Sequence, residues 1–273
     1  MGSKLEVELA DSGTGPALLF LPGSFSTKEA WSAVHAALKG QYRLISVSLP
    51  GYGKTPEIRP DTVSDMNTMQ KFVAGIVEQI GEPVHLIGHS YGGLNTFAST
   101  LKGAVTPLSL VTFEANPIFS LPDVGRFEWH DCVVSLVQRF EKAYASGDAD
   151  AAALIIDFWG TPGFFASMPE VVRNYCRATT YTNVLDWRTA VGFTPSINDY
   201  ASIDIPASLV RGELANQAIV EITEELSRVM PRANMHVVEG AGHFLISTHS
   251  KQCAEIIDRH VSSYYHGKEQ QMR

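Results

Sequence analysis

A serine between two glycines is the first candidate for chemistry in this sequence. The residues GHSYG (88–92) fit the pattern G-x-S-x-G, with an apolar run before them and an amphipathic helical pattern after them. A serine on a sharp strand-to-helix turn has a strained backbone that only small neighbours tolerate. Its hydroxyl then projects at the carboxyl end of the strand, where open α/β sheets bind ligands. We therefore predict that Ser90 is a nucleophile, and that the backbone N–H of Tyr91 stabilises an oxyanion.

A serine needs a base, and position selects one of the nine histidines. His243 lies in GAGHF (240–244), a loop directly after the apolar segment MHVV and before the last helical pattern, and we predict it as the base. His89 adjoins the serine but is predicted to pack against the sheet. No cluster of His, Asp or Glu has metal-ligand spacing, and no dinucleotide-binding glycine motif appears, so the sequence predicts neither a metal nor a cofactor.

The elements that must position these side chains are short apolar runs bounded by turn residues. Helical patterns separate most of the runs, which predicts a doubly wound, mostly parallel α/β sheet. The runs are ALLFL (17–21), YRLISVSL (42–49), PVHLIG (83–88), LSLVTF (108–113), ASLVRG (207–212) and MHVVEG (235–240).

A long stretch between two of these runs has no strand pattern. Residues 117–195 are rich in aromatic side chains, with helical patterns near 129–146, 148–158 and 168–178. We predict a helical lid (cap) over 117–195, inserted into a core formed by residues 1–116 and 196–273.

Composition narrows the kind of partner. The chain has 273 residues, a net charge of −8 and no run of five basic residues, which argues against nucleic acid or an anionic membrane and favours a small-molecule substrate. Its three cysteines are widely spaced, and the polar N-terminus does not resemble a signal peptide. These features predict a cytoplasmic protein, either a monomer or a homodimer.

Four segments together resemble the α/β-hydrolase superfamily over nearly the whole chain. GHSYG and GAGHF match its serine and histidine motifs, LPGSF (21–25) its oxyanion loop and LPGYGKT (49–55) a further turn. FWGTPGFFASMPEVVR (158–173) is similar to lid segments of the serine esterase and haloperoxidase-like branch. In the oxyanion loop Pro22 stands where the family commonly has histidine. The resemblance implies that the backbone N–H of Ser24, or less expectedly of Phe25, is the second oxyanion donor.

The third member of a serine–histidine site is normally a carboxylate. The family usually places it three residues beyond a glycine after a late strand, and that position here is Ala215. Glu114 directly follows the strand LSLVTF, at a place where some family members carry their acid. We predict Glu114 as the acid, with Glu213 as the alternative and a site without any acid as the remaining possibility.

A serine, a histidine base and two backbone donors predict acyl transfer through an acyl-enzyme on Ser90. The resemblance implies a small ester, thioester or lactone as substrate. Phe25, Tyr91 and Phe119 lie beside the predicted catalytic loops, and we predict them as pocket residues. Carbon–carbon bond hydrolysis is a variant of this function. A small-molecule receptor of the same fold with little turnover, and an oxygenase without a cofactor whose activity survives loss of Ser90, are the alternatives.

Overall fold

The computed structural model describes residues 6–61 and 65–271. Seven strands form one sheet in the order β1-β3-β2-β4-β5-β6-β7, in which β1 pairs antiparallel with β3 and the other pairs are parallel. The prediction of a mostly parallel α/β sheet is confirmed. The strands are β1 (Leu9–Gly13), β2 (Ala17–Leu21), β3 (Arg43–Val47), β4 (Val84–His89), β5 (Ser109–Phe113), β6 (Ala207–Gly212) and β7 (Ala233–Val238).

The central strands read as unbroken apolar runs because helices cover both faces of the sheet. Every residue of β2, β4 and β5 is buried. Successive side chains of β2 point to opposite faces, so Leu19 packs in one apolar core and Phe20 in the other. The edge strand β1 was not predicted from the sequence, since its residues LADSG are all exposed and form no apolar run.

Six helices flank the strands of the sheet outside the segment predicted as a lid. None of the helices in the described residues is long and apolar enough to cross a membrane. The six are α1 (Ser32–Ala37), α2 (Met66–Ile80), α3 (Tyr91–Leu101), α9 (Gln217–Val229), α10 (Leu245–Thr248) and α11 (Ser250–Gln271).

Five helices lie between β5 and β6, within the predicted lid. Of these, α8 was not predicted from the sequence, because the side that it buries is largely polar and breaks the apolar periodicity. The placing of a core and lid boundary at residues 117 and 195 stays a prediction. The helices are α4 (Phe127–Ala145), α5 (Ala152–Trp159), α6 (Phe164–Ser167), α7 (Glu170–Ala178) and α8 (Thr180–Val191).

Candidate active site

Ser90 occupies the sharp turn between β4 and α3. Its backbone has φ 51° and ψ −119°, outside the regions that L-residues normally adopt. The turn is closely packed: a Cβ atom added at Gly92 would lie 2.2 Å from the carbonyl oxygen of Leu21, and one at Gly88 would lie 2.5 Å from the carbonyl oxygen of Gly92. The two glycines of the motif are therefore required by steric contact.

The loop after β7 brings His243 to this serine. The Nε2 atom of His243 lies 3.1 Å from Ser90 Oγ, and its Nδ1 atom lies 3.2 Å from Glu114 Oε2. A carboxylate only accepts hydrogen bonds, so a neutral His243 donates Nδ1–H to Glu114 and leaves Nε2 to accept from the serine hydroxyl. This is the tautomer that a general base needs.

Glu114 and Glu213, the two carboxylates that the sequence left open, lie in different surroundings. Glu114 is fully buried, and its Oε1 atom accepts the backbone N–H of Gly212 at 2.6 Å. The carboxylate of Glu213 instead accepts the backbone N–H of Gly240 at 2.9 Å, on an exposed part of the loop. The structure therefore brings Glu114, and not Glu213, to His243.

Backbone strain is concentrated at this site. Among the described residues, the non-glycine residues with positive φ are Phe25 (57°), Ser90 (51°) and Glu114 (50°). A positive φ costs on the order of 1–3 kcal/mol at each such residue, and such strain is typical of functional sites. All three residues follow strands of the sheet at its carboxyl edge, where the Ser90 hydroxyl lies.

The two predicted oxyanion donors come from different elements: Ser24 lies in the loop after β2, and Tyr91 is the first residue of α3. Both residues line the same cavity as Ser90. The hydroxyl of Ser24 points away from this role and donates to Asp186 Oδ2 at 2.6 Å, which ties the loop to α8. Ser26 holds the same loop from within, by donating to the carbonyl oxygen of Gly23 at 2.8 Å.

The cavity over Ser90 has a volume of about 290 Å³ and is lined mainly by apolar and aromatic side chains. Phe25 lines it, as the sequence predicted. Trp159 from α5 stacks on the His243 ring with centroids 5.5 Å apart, and Trp187 from α8 stacks on Trp159 at 6.1 Å. A cavity of this size is at the small end of ligand-binding sites, so it suits a small substrate.

Phe119 was predicted to line the pocket, and this is wrong. It is not among the cavity-lining residues and is 92% buried in the core, with its ring 5.8 Å from that of His130 on α4. The chain after β5 enters a short 3-10 helix, Ile118–Val124, whose residues Ile118–Leu121 are buried. The turn of that helix carries Phe119 toward α4 instead of toward Ser90.

A buried ion pair beside the cavity was missed in the sequence. Arg59 Nη1 donates to Asp186 Oδ1 at 2.5 Å, and both side chains are almost fully buried. Tyr52 donates to the other oxygen of Asp186 at 2.6 Å, and Glu57 pairs with Arg59 at 2.7 Å. Burial alone would lower the pKa of Arg59, but the neighbouring carboxylates more than offset it and raise that pKa. No sequence motif indicates this pair, because Arg59 and Asp186 lie 127 positions apart.

The two members of this pair should differ in their effect on stability. In Arg59→Met the carboxylate of Asp186 loses its cation, so we expect the free energy of unfolding to fall by about 3–5 kcal/mol. In Asp186→Asn the guanidinium keeps Glu57, and the loss should be smaller, about 1–3 kcal/mol. Urea unfolding followed by circular dichroism measures both.

The matched control is Arg188→Met. Arg188 lies on α8, like Asp186, and its ion pair with Glu141 is partly exposed. Its cost should be about 0–1 kcal/mol. Equal costs for the three variants would contradict a special role for the buried pair.

His89 supports the site from below. Its Nε2 atom lies 2.8 Å from the backbone carbonyl oxygen of His243, which only accepts, so the ring donates Nε2–H and holds the loop that carries His243. Burial, together with the neighbouring His243 ring, lowers the pKa of His89 to about 3. The sequence prediction that His89 packs as a structural residue agrees with these contacts.

Four histidines make the protein sensitive to mild acid. Burial lowers the pKa of His89 to about 3, and the pKa of His35, of His85 and of His260 to about 4. In the unfolded chain these groups have a pKa of about 6.5, so below that pH the unfolded state binds more protons than the folded state. Stability should therefore fall as the pH decreases from about 6.5 toward 4, by up to about 1.4 kcal/mol per pH unit for each histidine.

Urea unfolding between about pH 7 and 5 tests this expectation, because most carboxylates stay ionised there. The variant His260→Asn should reduce the slope of stability against pH by the contribution of one proton. His249→Asn, at the half-buried bend between α10 and α11, is the matched histidine-to-asparagine control. A wild-type stability that is flat over this range would contradict the assignment.

The opposite edge of the sheet has a larger groove of about 770 Å³. It is lined by residues that precede β4, β5 and β6 together with α11 residues such as His260 and Tyr264. This groove lies at the amino ends of the parallel strands and does not include Ser90.

Within residues 6–61 and 65–271, no group of three or more His, Cys, Asp or Glu side chains is placed to hold a metal ion.

Fold and site together define a class of protein, the α/β-hydrolases, in which a serine at the turn after a central strand lies against a histidine from a late loop. The model of the Alpha/beta hydrolase family matches residues 18–256. The chain belongs to the alpha/beta hydrolase family, and the prediction of a hydrolase enzyme of this superfamily is confirmed.

Individual proteins resemble the chain over most of its length. A pimeloyl-[acyl-carrier protein] methyl ester esterase of Aeromonas hydrophila is 24% identical over 263 residues, which cover 94% of this chain and 100% of the esterase. A thermophilic esterase from Thermogutta terrifontis superposes with a TM-score of 0.75 at 20% identity, covering 94% of this chain and 93% of the esterase. MenH from S. aureus superposes at 0.74 with 15% identity, covering 95% and 98%. The two structural likenesses establish the fold.

Proposed function

We propose that this protein is a serine hydrolase that cleaves a small ester, thioester or lactone through an acyl-enzyme on Ser90. The observation that carries the proposal is the continuous set of contacts from Ser90 Oγ through His243 to the buried carboxylate of Glu114, at 3.1 and 3.2 Å. At these distances the serine hydroxyl has a base directly within reach, and the carboxylate can orient that base.

The first half of the reaction forms the acyl-enzyme. Ser90 Oγ attacks the carbonyl carbon while His243 Nε2 takes the serine proton, and Glu114 stabilises the imidazolium through its Nδ1–H. The negative charge on the carbonyl oxygen meets the backbone N–H groups of Ser24 and Tyr91. The bond to the leaving oxygen or sulfur then breaks, and His243 Nε2–H protonates the leaving group.

Water completes the cycle. His243 Nε2 takes a proton from a water molecule as that water attacks the acyl carbon, and the same two N–H groups stabilise the second oxyanion. The bond to Ser90 Oγ breaks, and the serine recovers its proton from His243. The products are a carboxylic acid and the alcohol, thiol or, from a lactone, a hydroxy acid.

Two observations support a small carboxylic ester as the substrate. The cavity over Ser90 is only about 290 Å³, which excludes a long acyl chain enclosed at full length. A relative over nearly the whole chain, the protein from Aeromonas hydrophila, is named as a pimeloyl-[acyl-carrier protein] methyl ester esterase, which supports a carboxylic ester with a small alcohol part. We therefore propose an ester with a small acyl part and a small alcohol part as the first substrate class to assay.

The contact between Glu114 and His243 also favours turnover over a receptor role. The alanine at position 215, where the family commonly has its acid, argues for a receptor function without turnover. With a carboxylate supplied by Glu114, the histidine has the partner that catalysis requires.

Titration with an organophosphate tests the proposal. Diethyl p-nitrophenyl phosphate should release one equivalent of p-nitrophenolate per protein, and mass spectrometry of the digested protein should find the diethylphosphoryl group on the peptide that contains Ser90. The serines of other peptides serve as the internal control. Turnover is then measured on matched small esters, thioesters and lactones. A protein that binds these compounds without a burst or turnover would be a receptor, and the proposal would fail.

A further inference from the structure

One face of α8 forms part of the cavity wall above Ser90. Asn183, Asp186, Trp187 and Ala190 all line the cavity and are spaced as i, i+3, i+4 and i+7, which places them on the same side of the helix. Three of these four residues carry polar groups, which is unusual for the buried side of a helix. This face is called the α8 polar face below.

Two atoms of the α8 polar face are buried without a hydrogen-bond partner. The Oδ1 atom of Asn183 and the Nε1 atom of Trp187 each lack one, although the side chains are 1% and 5% exposed. A third such atom, Oδ1 of Asn116, faces the same cavity from the end of β5. Buried polar groups are nearly always satisfied in folded proteins, so three unsatisfied atoms around one cavity indicate that a ligand or water supplies their partners.

Chemistry limits what the partner can be. The indole Nε1–H of Trp187 only donates, whereas Asn183 must present an acceptor, because its Nδ2 group is directed at Asp186 Oδ2 at 3.4 Å. A carboxylate would satisfy the indole but not the amide oxygen, and an ammonium group would satisfy only the amide oxygen. A hydroxyl group both donates and accepts, so it can satisfy both atoms.

The charge of Asp186 does not change this conclusion. Its two oxygens already accept from Arg59, Tyr52 and Ser24, so the carboxylate is paired and its charge is compensated. The α8 polar face therefore presents neutral hydrogen-bonding groups next to a neutralised ion pair. A neutral polar ligand fits this environment better than a charged one.

The α8 polar face adjoins the catalytic groups at two places. Trp187 stacks on Trp159, which stacks on the His243 ring, and Asp186 accepts a hydrogen bond from the hydroxyl of Ser24 in the loop after β2. A substrate bound at Ser90 therefore has its acyl or alcohol part within reach of this face.

We propose that the α8 polar face is a specificity subsite for a hydroxyl group on the substrate's acyl or alcohol part. This inference rests on the proposed function, because it deepens the substrate class of the same cavity. It makes a hydroxy ester, and not a plain alkyl ester of equal length, the preferred substrate.

Paired substrates test the subsite. Methyl esters of ω-hydroxy acids of increasing length are each compared with the ester in which a methyl group replaces the hydroxyl. At one chain length, kcat/KM should be about 10- to 100-fold higher for the hydroxy ester, as expected when one or two buried groups gain a partner. A parallel series with the hydroxyl on the alcohol part tells the two ends apart.

Trp187→Phe keeps a ring against Trp159 but removes the N–H, so the ratio of kcat/KM for the hydroxy ester to that for the methyl-terminated ester should fall to nearly one. Circular dichroism and thermal unfolding show whether the variant is folded. Asn183→Ala is the second variant and should reduce the preference in the same way. The matched control is Trp31→Phe, because Trp31 Nε1 is also buried without a partner but is not among the cavity-lining residues.

The outcomes separate the two proposals. If the wild type cleaves hydroxy and alkyl esters equally at every length, or if Trp187→Phe keeps the preference, the subsite is wrong and the serine hydrolase stands. If the wild type cleaves no ester, the proposed function is wrong. The subsite is then judged by calorimetric binding of the same paired esters, where equal affinities for both members of every pair would overturn it.

Discussion

Ser90→Ala should lower kcat on the best small ester by a factor on the order of 10⁶, with little change in KM, because removing the serine of such a site removes the whole covalent route. The substitution deletes one buried oxygen that lies 3.1 Å from His243 Nε2 and leaves the cavity walls in place. Substrate should therefore still bind. Steady-state kinetics on the wild type and the variant, with the burst of product measured by stopped flow, gives both quantities.

A double variant makes this result more specific. Ser90 and His243 act as one unit, so Ser90→Ala with His243→Ala should be no slower than Ser90→Ala alone. Ser202→Ala is the control. Ser202 is exposed at the end of a short 3-10 helix, so this variant should retain the kcat of the wild type. Losses that multiply in the double variant, or a Ser90→Ala protein with substantial activity, would mean that the reaction does not run through this serine.

Glu114→Gln should lower kcat by about 10⁴, the size of effect seen when a serine–histidine site loses its carboxylate but keeps its geometry. Glutamine has the same shape and its carbonyl oxygen can still accept the Gly212 N–H, so the fold should be retained. Its NH₂ group would then face Nδ1 of His243, which forces that nitrogen to accept and places the proton on Nε2. A histidine in that tautomer cannot take the serine proton.

Glu213→Gln is the matched control, since it is the same substitution on the other carboxylate that the sequence proposed. Glutamine at that position can still accept the N–H of Gly240, and kcat should stay close to that of the wild type. Thermal unfolding of both variants separates a catalytic loss from a folding loss. Small and equal effects of the two substitutions on kcat would show that neither glutamate orients the base.

The contacts of Ser24 link these predictions to the helices over the site. Its backbone is proposed to bind the oxyanion, while its hydroxyl holds Asp186 on α8, which is also paired with Arg59. The loop that stabilises the transition state is therefore anchored to the same helix that forms the proposed hydroxyl subsite. Arg59→Met should for this reason affect both unfolding and turnover, although its direct contacts do not include Ser90.

The local features of this protein were determined by the sequence alone. The serine turn needs small residues at fixed neighbouring positions, and parallel strands covered by helices need apolar runs. GHSYG and the six apolar runs therefore indicate the fold without any knowledge of distant contacts. The late histidine loop could be placed because it follows the last of these runs. These rules act over a few residues, which is why they can be read from the chain.

The tertiary structure decided which distant side chains meet. Pairing of β5 with β4 and β6 places Glu114 beneath His243, 129 positions away, whereas Glu213 turns toward Gly240. Because of the direction of the short 3-10 helix after β5, Phe119 does not line the cavity. Because the buried side of α8 is largely polar, apolar periodicity did not indicate this helix or its Asp186. Such pairings depend on how strands and helices pack in space, and spacing along the chain does not determine them.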